Sequence, residues 1–135
     1  MRHRLALLYP KKPDIVFLEC GINDIVLGLP AEQVIAAFKQ LVDSLQQHQI
    51  RVVLQTVIPV TKAYKGSLRI NEGVFLFNQF ITHLATQKNC TLIDITSAIS
   101  ENGFLRTEFA QADGIHLSAS AYQIWKQQIT PILTP

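Results

Sequence analysis

The chain has 135 residues, of which 48% are hydrophobic, and its formal net charge is +2. This length supports one domain with a buried core, and the composition is too apolar for a disordered chain. The balanced charge argues against a nucleic-acid surface, and two cysteines are too few for a disulfide framework. No apolar run approaches the ~18 residues that a membrane-spanning helix needs.

The first segment, residues 1–10, is basic and then briefly apolar. Its apolar part is too short for a signal peptide, and no small-residue cleavage site follows. The chain as printed is therefore expected in the cytoplasm, but an upstream signal would change that, so the compartment stays open. Residues 3–9 have the pattern of the last turns of a helix.

Three nearly continuous apolar runs follow, at residues 15–20, 50–58 and 91–95. Continuous rather than alternating apolar runs are typical of parallel strands that are covered on both faces. The sequence therefore predicts three parallel strands.

Helical periodicity separates and follows these runs. Apolar residues recur at three- and four-residue spacing over residues 31–48, 71–88 and about 119–130. Asn71 is a candidate N-cap for the second helix, and Pro131 is expected to end the last one. Alternating strands and helices predict a layered α/β fold with right-handed crossovers, formed by residues 1–135 as a single domain.

Two polar clusters follow strands of the predicted sheet. Residues 21–24, with the sequence Gly-Ile-Asn-Asp, come directly after the first strand, and Asp113 and His116 lie in the loop that follows the third strand. Because the carboxyl ends of parallel strands meet at one edge, and ligands bind there in open α/β sheets, both clusters are expected at one rim.

The residue types at this rim suit acyl transfer. A carboxylate such as Asp113 can accept a hydrogen bond from one ring nitrogen of His116 and leave the other nitrogen as a base, with Gly114 allowing the tight turn. The Asn23 amide can donate to a developing oxyanion. Each motif alone is more often a turn or a surface hydrogen bond, so only their joint occurrence favours a catalytic site.

The two motifs resemble those of the SGNH-hydrolase (GDSL-like esterase/lipase) superfamily. The sequence K-P-D-I-V-F-L-E-C-G-I-N-D is similar to its third conserved block, and A-D-G-I-H-L-S-A-S-A-Y-Q-I-W to its fifth. The resemblance implies that His116 is the general base, Asp113 its orienter and Asn23 an oxyanion donor, with Gly21 and Asp24 supporting the loop. It also implies small-molecule ester substrates (acyl lipids, acylated sugars or short esters), an acyl-serine intermediate, and no metal or cofactor.

The chain departs from the family pattern in its first blocks. The family's nucleophilic serine and second-block glycine precede the Gly-x-Asn-Asp motif, but nothing before Gly21 is serine or glycine, and the first serine is Ser44 in a predicted helix. Serines at positions 97, 100 and 118 are better explained as loop or cap residues. Cys20 lacks the electropositive, accessible setting of a reactive thiolate, so no nucleophile is assigned.

The fold is expected to show the same gap. The resemblance implies a three-layer flavodoxin-like sheet without its first two strands, with about three strands and three to four helices present. Residues 15–20 would then form an exposed apolar edge, through which two copies of the chain could pair as a homodimer. The simplest interpretation is an incomplete domain, the C-terminal two-thirds of an esterase.

The sequence leaves two functions open. The first is an ester hydrolase that is inactive without its N-terminal blocks, and the second is a degenerate, non-catalytic module that binds a ligand or dimerises. A nucleotide-binding or receiver-type domain is disfavoured, because no glycine-rich loop follows a strand.

Overall fold

A computed structural model of the chain describes Leu5 and residues 7–133. Its centre is a parallel sheet of β1 (Ile15–Leu18), β2 (Arg51–Gln55) and β3 (Thr91–Ile93), in the order β1-β2-β3. The register pairs Val16 with Val52 and Leu54 with Leu92. The three predicted strands and their parallel arrangement are confirmed.

Helices surround this sheet. The α-helices that follow β1 are α1 (Ile22–Val26), α2 (Ala31–Gln47), α3 (Ser67–Gln87), α4 (Thr96–Ile99) and α5 (Ala119–Leu133). None of them is both long and apolar enough to cross a membrane. Leu5, Leu7 and Leu8 are also helical, as the sequence predicts for residues 3–9. Positions 3, 4 and 6 of that predicted helix lie outside the described residues.

The sheet is covered on both faces. Val52 and Leu54 of β2 belong to a core cluster with α2 and α3, whereas Val53 between them packs in a second cluster with α5. Trp125 on α5 also donates its indole N–H to the buried side chain of Gln55 at the end of β2. This three-layer arrangement explains why the strand residues are apolar without alternation.

β1 forms an open edge of the sheet. Its four residues are all half-buried, although Val52, Val53 and Leu54 of the adjacent strand are fully buried. Within the described part of the chain, β1 pairs with β2 alone. The predicted exposed apolar edge at residues 15–20 is therefore present.

The count of three to four helices was too low, because α1 and α4 have five and four residues and show no helical periodicity. A small hairpin of β4 (Ser100–Glu101) and β5 (Phe104–Leu105) was also missed. Two-residue strands leave no alternating pattern in a sequence.

The assignment of Asn71 as an N-cap is wrong. Helix α3 begins at Ser67, and Asn71 is a buried residue inside it. Its amide accepts a hydrogen bond from Val60 N at 2.8 Å and donates one to Val60 O at 2.9 Å. A buried amide is tolerated when both of its polar ends are paired, as here.

The expected end of the last helix is also corrected. Helix α5 continues through Pro131 to Leu133. A proline in the last helical turn removes only one hydrogen bond, and Ile132 beyond it packs against the second core cluster.

Candidate active site

The Gly-Ile-Asn-Asp segment forms a tight connection from β1 into α1. Gly21 is buried with φ of 122°, and a Cβ atom there would lie 2.7 Å from Cε1 of Phe77 on α3. Both the backbone conformation and the close approach require glycine at this position. Asn23 and Asp24 then fall in the first turn of α1, where Asn23 is exposed.

Helix α1 is held in place by α3. A Cβ atom at Gly73 would lie 2.9 Å from Ile25 Cγ2, so α1 can approach only because position 73 is glycine. Arg69 donates to the carbonyl oxygens of Ile25 at 3.2 Å and Val26 at 3.0 Å. These are carbonyls at the C-terminal end of α1, where a cation also complements the helix dipole.

Gly73 and Arg69 were not predicted as positioning residues. A glycine inside a helical pattern was the available signal for Gly73, since it often marks a close packing contact. Nothing in the sequence marks Arg69, which differs from other surface arginines only in its tertiary contacts.

The second cluster is a compact loop around Asp113. Its Oδ1 accepts hydrogen bonds from the backbone N–H groups of Ile115 at 3.0 Å and His116 at 2.9 Å, and its Oδ2 lies 2.6 Å from Nδ1 of His116. The hydrogen bond from the His116 side chain, followed by those from the two backbone groups, lowers the pKa of Asp113 to about 2.

This geometry defines the state of His116. An ionised carboxylate can only accept, so Nδ1 of His116 carries the proton and Nε2 is left as the basic nitrogen. The His116 side chain is 72% exposed, which leaves Nε2 accessible from the rim.

Gly114 ties this loop to the segment that follows β2. Its φ is 75°, and a Cβ atom there would come within 2.5 Å of Thr61 Oγ1. The backbone N–H of Thr61 donates to Gly114 O at 2.9 Å. The segment is itself attached to α3, since Asn78 pairs with Val57 N and O at 2.7 and 2.8 Å in the same way as Asn71 pairs with Val60.

Both predicted clusters therefore follow the parallel strands at their carboxyl ends. The Gly-Ile-Asn-Asp segment is anchored to α3 directly, and the Asp113 loop is anchored to it through residues 57–61. Ile22 beside Asn23 and Ile115 beside His116 pack against the same core cluster. Among the predicted site residues that the structure describes, side-chain hydrogen bonding is confined to Asp113 and His116, and the Asn23 side chain has no hydrogen bond to another described group. Asp24 is half-buried, and its backbone carbonyl accepts from Leu29 N at 3.0 Å, as suits a residue that holds the loop.

Three of the four candidate serines have other hydrogen-bond partners, and the fourth, Ser100, has a buried hydroxyl without one among the described residues. Ser44 hydrogen bonds Tyr9 at 2.6 Å, Ser97 donates to Asp94, and Ser118 donates to Glu108 O at 3.1 Å. Ser100 Oγ is buried. Within the described residues, no serine hydroxyl is hydrogen bonded to His116.

Cys20 lies next to the Gly-Ile-Asn-Asp segment but is not activated. Burial, together with the negative charges of Glu19 and Asp24, raises the pKa of its thiol to about 12. A thiol in that setting is protonated at neutral pH, whereas a nucleophilic cysteine needs a depressed pKa.

Comparison with known proteins gives consistent matches. The sequence pattern of the GDSL-like Lipase/Acylhydrolase family matches residues 1–124. A GDSL-like lipase from Bacteroides thetaiotaomicron shares the fold with a TM-score of 0.80 at 16% identity, over 89% of this chain and 62% of that chain. A psychrotrophic esterase from a Pseudoalteromonas species has a TM-score of 0.69 at 20% identity, over 98% of this chain and 69% of that chain.

One relative is a longer protein with a different name. The N-acylneuraminate cytidylyltransferase of Streptococcus agalactiae serotype V is 25% identical over 112 residues, which are 83% of this chain and 26% of the relative. The chain thus spans about a quarter of that relative and less than two thirds of the lipase. Because the family pattern extends over residues 1–124 and the described sheet and helices superimpose on its solved structures, the chain belongs to the GDSL-like Lipase/Acylhydrolase family of the SGNH-hydrolase superfamily.

Proposed function

We propose that this chain carries the base and the oxyanion donor of a carboxylic-ester hydrolase. The hydrogen bond between Asp113 and His116 is the observation that carries the proposal, because it holds the imidazole with Nε2 free to accept a proton. Asn23 in the first turn of α1 is the proposed oxyanion donor, with Gly21 and Asp24 holding the turn that presents it.

The proposed reaction proceeds through an acyl-serine. His116 Nε2 accepts the proton of a serine hydroxyl as that oxygen attacks the ester carbonyl, and the Asn23 amide donates to the oxyanion that forms. His116 then gives the proton to the leaving alcohol. The same base activates water to hydrolyse the acyl-serine, while Asp113 stays ionised and stabilises the imidazolium.

The nucleophilic serine is not assigned to any residue of this chain. Ser97 and Ser118 at the carboxyl rim have other hydrogen-bond partners, the Ser100 hydroxyl is buried, and the sequence has no serine before Ser44. We therefore propose that the 135 residues form an incomplete domain that does not turn over by itself. Members of this family place the serine ahead of the Gly-x-Asn-Asp motif, and a segment that supplies it would restore the site.

The proposed substrates are small-molecule esters such as acyl lipids, acylated sugars or short-chain esters. The name of the curated relative concerns an N-acylated sugar, and this supports including acylated amino sugars among the substrates tested.

The test compares the 135-residue chain with the longest protein produced from its gene. The short chain is expected to show no hydrolysis of p-nitrophenyl acetate above buffer and no mass increase with a fluorophosphonate, which labels activated serines. In the longer form, His116→Ala should lower kcat at least about 1,000-fold, with KM little changed. His48→Ala, which removes an exposed histidine at the end of α2, is the matched control. An unchanged rate in His116→Ala would remove that residue from its proposed role.

A second candidate function is a non-catalytic module, and the open edge of β1 is the observation that favours it. Two copies related by a twofold axis could pair their β1 strands antiparallel and cover the half-buried residues 15–18. Sedimentation velocity over a range of protein concentrations tests this second function. A dimer that persists on dilution supports this function, and a monomer at every concentration contradicts it.

A further inference from the structure

A groove lined by both apolar and polar side chains lies along α3, apart from the candidate active site. It encloses about 610 Å³ between α3, the carboxyl ends of β2 and β3, and the β4–β5 hairpin. Its lining includes none of the residues assigned above to the base, its orienter or the oxyanion donor. The groove is therefore a different site from the one proposed for the hydrolase reaction.

One wall of the groove is a stripe of exposed side chains on α3. Phe75, Gln79 and His83 are spaced by four residues, so they lie above one another on one helix face. Phe75 is 61% exposed. Within the described residues, the side chains of Gln79 and His83 have no hydrogen bond to another protein group, so their donors and acceptors are free for a ligand.

The opposite wall is a preorganised polar surface. Asp94 directly follows β3 and accepts hydrogen bonds from Thr56 Oγ1 at 3.2 Å, from Ser97 N at 3.2 Å and from the Ser97 hydroxyl. Thr96 Oγ1 in turn lies 2.9 Å from Thr56 Oγ1. These contacts fix the direction of the carboxylate, which reduces the entropy lost when a ligand binds.

The charge of the groove restricts its ligand. Of the described residues that line it, only Asp94 and His83 are titratable, and none is lysine or arginine. A phosphate or carboxylate would therefore meet the Asp94 anion without a permanent cation to balance it. The groove instead suits an uncharged molecule with many hydroxyl groups and one apolar face.

We propose that this groove is a binding site for a neutral saccharide. The apolar C–H face of a sugar ring stacks on Phe75, while its hydroxyl groups hydrogen bond the Gln79 amide, the His83 imidazole and the free lone pairs of Asp94. The carboxyl edge of a parallel sheet, where Asp94 and Thr56 lie, is also the side on which α/β folds bind ligands.

The test uses NMR on the isotope-labelled chain titrated with methyl glucoside and with N-acetylglucosamine. Binding at this site predicts chemical-shift changes in the Phe75 ring and the Gln79 side-chain amide of the unaltered protein, so the result does not require a variant that folds. Glucuronate and octanoate serve as the anionic and apolar comparison ligands, and neither should displace the neutral sugar.

Substitutions on α3 give the matched comparison. Phe75→Ala should weaken sugar binding by about threefold to tenfold, the usual contribution of an aromatic contact. Leu76→Ala changes the next residue, which is 57% exposed but does not line the groove, and should leave the affinity unchanged. Shift changes at Gln79 that need a higher sugar concentration in Phe75→Ala, but not in Leu76→Ala, support the proposal. It is overturned if neither sugar perturbs these groups, if Phe75→Ala and Leu76→Ala bind equally, or if octanoate or glucuronate binds in preference.

Discussion

At the scale of single residues, the candidate site depends on the hydrogen bonds that the Asp113 carboxylate accepts. One carboxylate accepts from the ring nitrogen of His116 and from two backbone N–H groups, so a single side chain both orders the loop and orients the base. Gly114 makes this possible by allowing the loop to touch Thr61. The chemistry of the site is therefore inseparable from the local fold of residues 113–116.

This arrangement predicts a pH dependence of stability. The pKa of Asp113 is lowered from 3.8 to about 2 on folding, so its stabilising contribution is complete above about pH 4 and is lost as the pH falls towards 2. Urea denaturation at pH 5, 3 and 2 should therefore show a smaller acid loss of stability for Asp113→Asn than for the unaltered chain. Asp14→Asn, which removes another exposed carboxylate, is the control. Equal acid profiles for the unaltered chain and Asp113→Asn would contradict the prediction.

Two glycines with positive φ allow a second prediction. Gly21→Ala combines an unfavourable backbone conformation with an overlap against Phe77, and should lower the free energy of unfolding by about 2–4 kcal/mol. Gly103→Ala has the same kind of φ with nothing within 4 Å, so it should cost only about 1 kcal/mol. Chemical denaturation of both variants measures the difference. Similar losses would mean that contact with Phe77 does not restrict position 21.

At the scale of elements, α3 organises the rim. It accommodates α1 through Gly73, binds its C-terminal carbonyls through Arg69, and holds residues 57–60 through two asparagine amides. Each asparagine replaces the donor and acceptor that a neighbouring strand would supply. Both candidate motifs thus share one helix as their support.

Removing one of these amides should affect the second motif at a distance. Asn71→Ala leaves the Val60 N–H buried without a partner and removes one of the two hydrogen bonds to Val60 O, whose other donor is Leu105 N. It should cost about 2–4 kcal/mol, and Asn78→Ala, at a half-buried position, should cost less. Hydrogen exchange at the Thr61 amide, which donates to Gly114 O, should also accelerate in Asn71→Ala. Unchanged exchange at Thr61 would show that the 57–61 segment is held by other contacts.

At the scale of the whole molecule, the protein is a three-layer α/β structure in which β1 and β3 are the edge strands of the described sheet, and the strand of interest is the apolar β1. β2 is paired on both sides, but β1 is paired on one side within the described chain. Alternate backbone amides of β1 therefore lack a strand partner. Such an edge favours association with another strand, from the same protein or from a second copy.

Hydrogen exchange can read out the state of this edge. In an isolated monomer, the amides of Val53 and Leu54 should all exchange slowly, while those of residues 15–18 should alternate between slow and at least about tenfold faster exchange. Uniform protection along β1 that weakens on dilution would show pairing between copies. Uniform protection that is independent of concentration would contradict the open edge.

Much of this organisation is visible in the sequence. Apolar periodicity located the three strands and the longest helices, because burial on both sheet faces or on one helix face leaves a pattern over five or more residues. It could not locate α1, α4 or the β4–β5 hairpin, which are too short for a helical or strand pattern to repeat. It also misplaced Asn71, since a buried asparagine and an N-cap asparagine look identical without the partner segment.

By itself, the sequence determined the α/β class, the family and the identity of the groups available at the rim: Asn23, Asp113 and His116. The spacing of Asp113 and His116 was enough to predict their contact, because three residues of a tight loop leave little conformational freedom. Only the tertiary structure decided how these groups are supported and what surrounds them. The glycine contacts of α3, the amide pairing of residues 57–60 and the groove beside Asp94 join residues distant in the chain, and such contacts depend on packing geometry that no local pattern records.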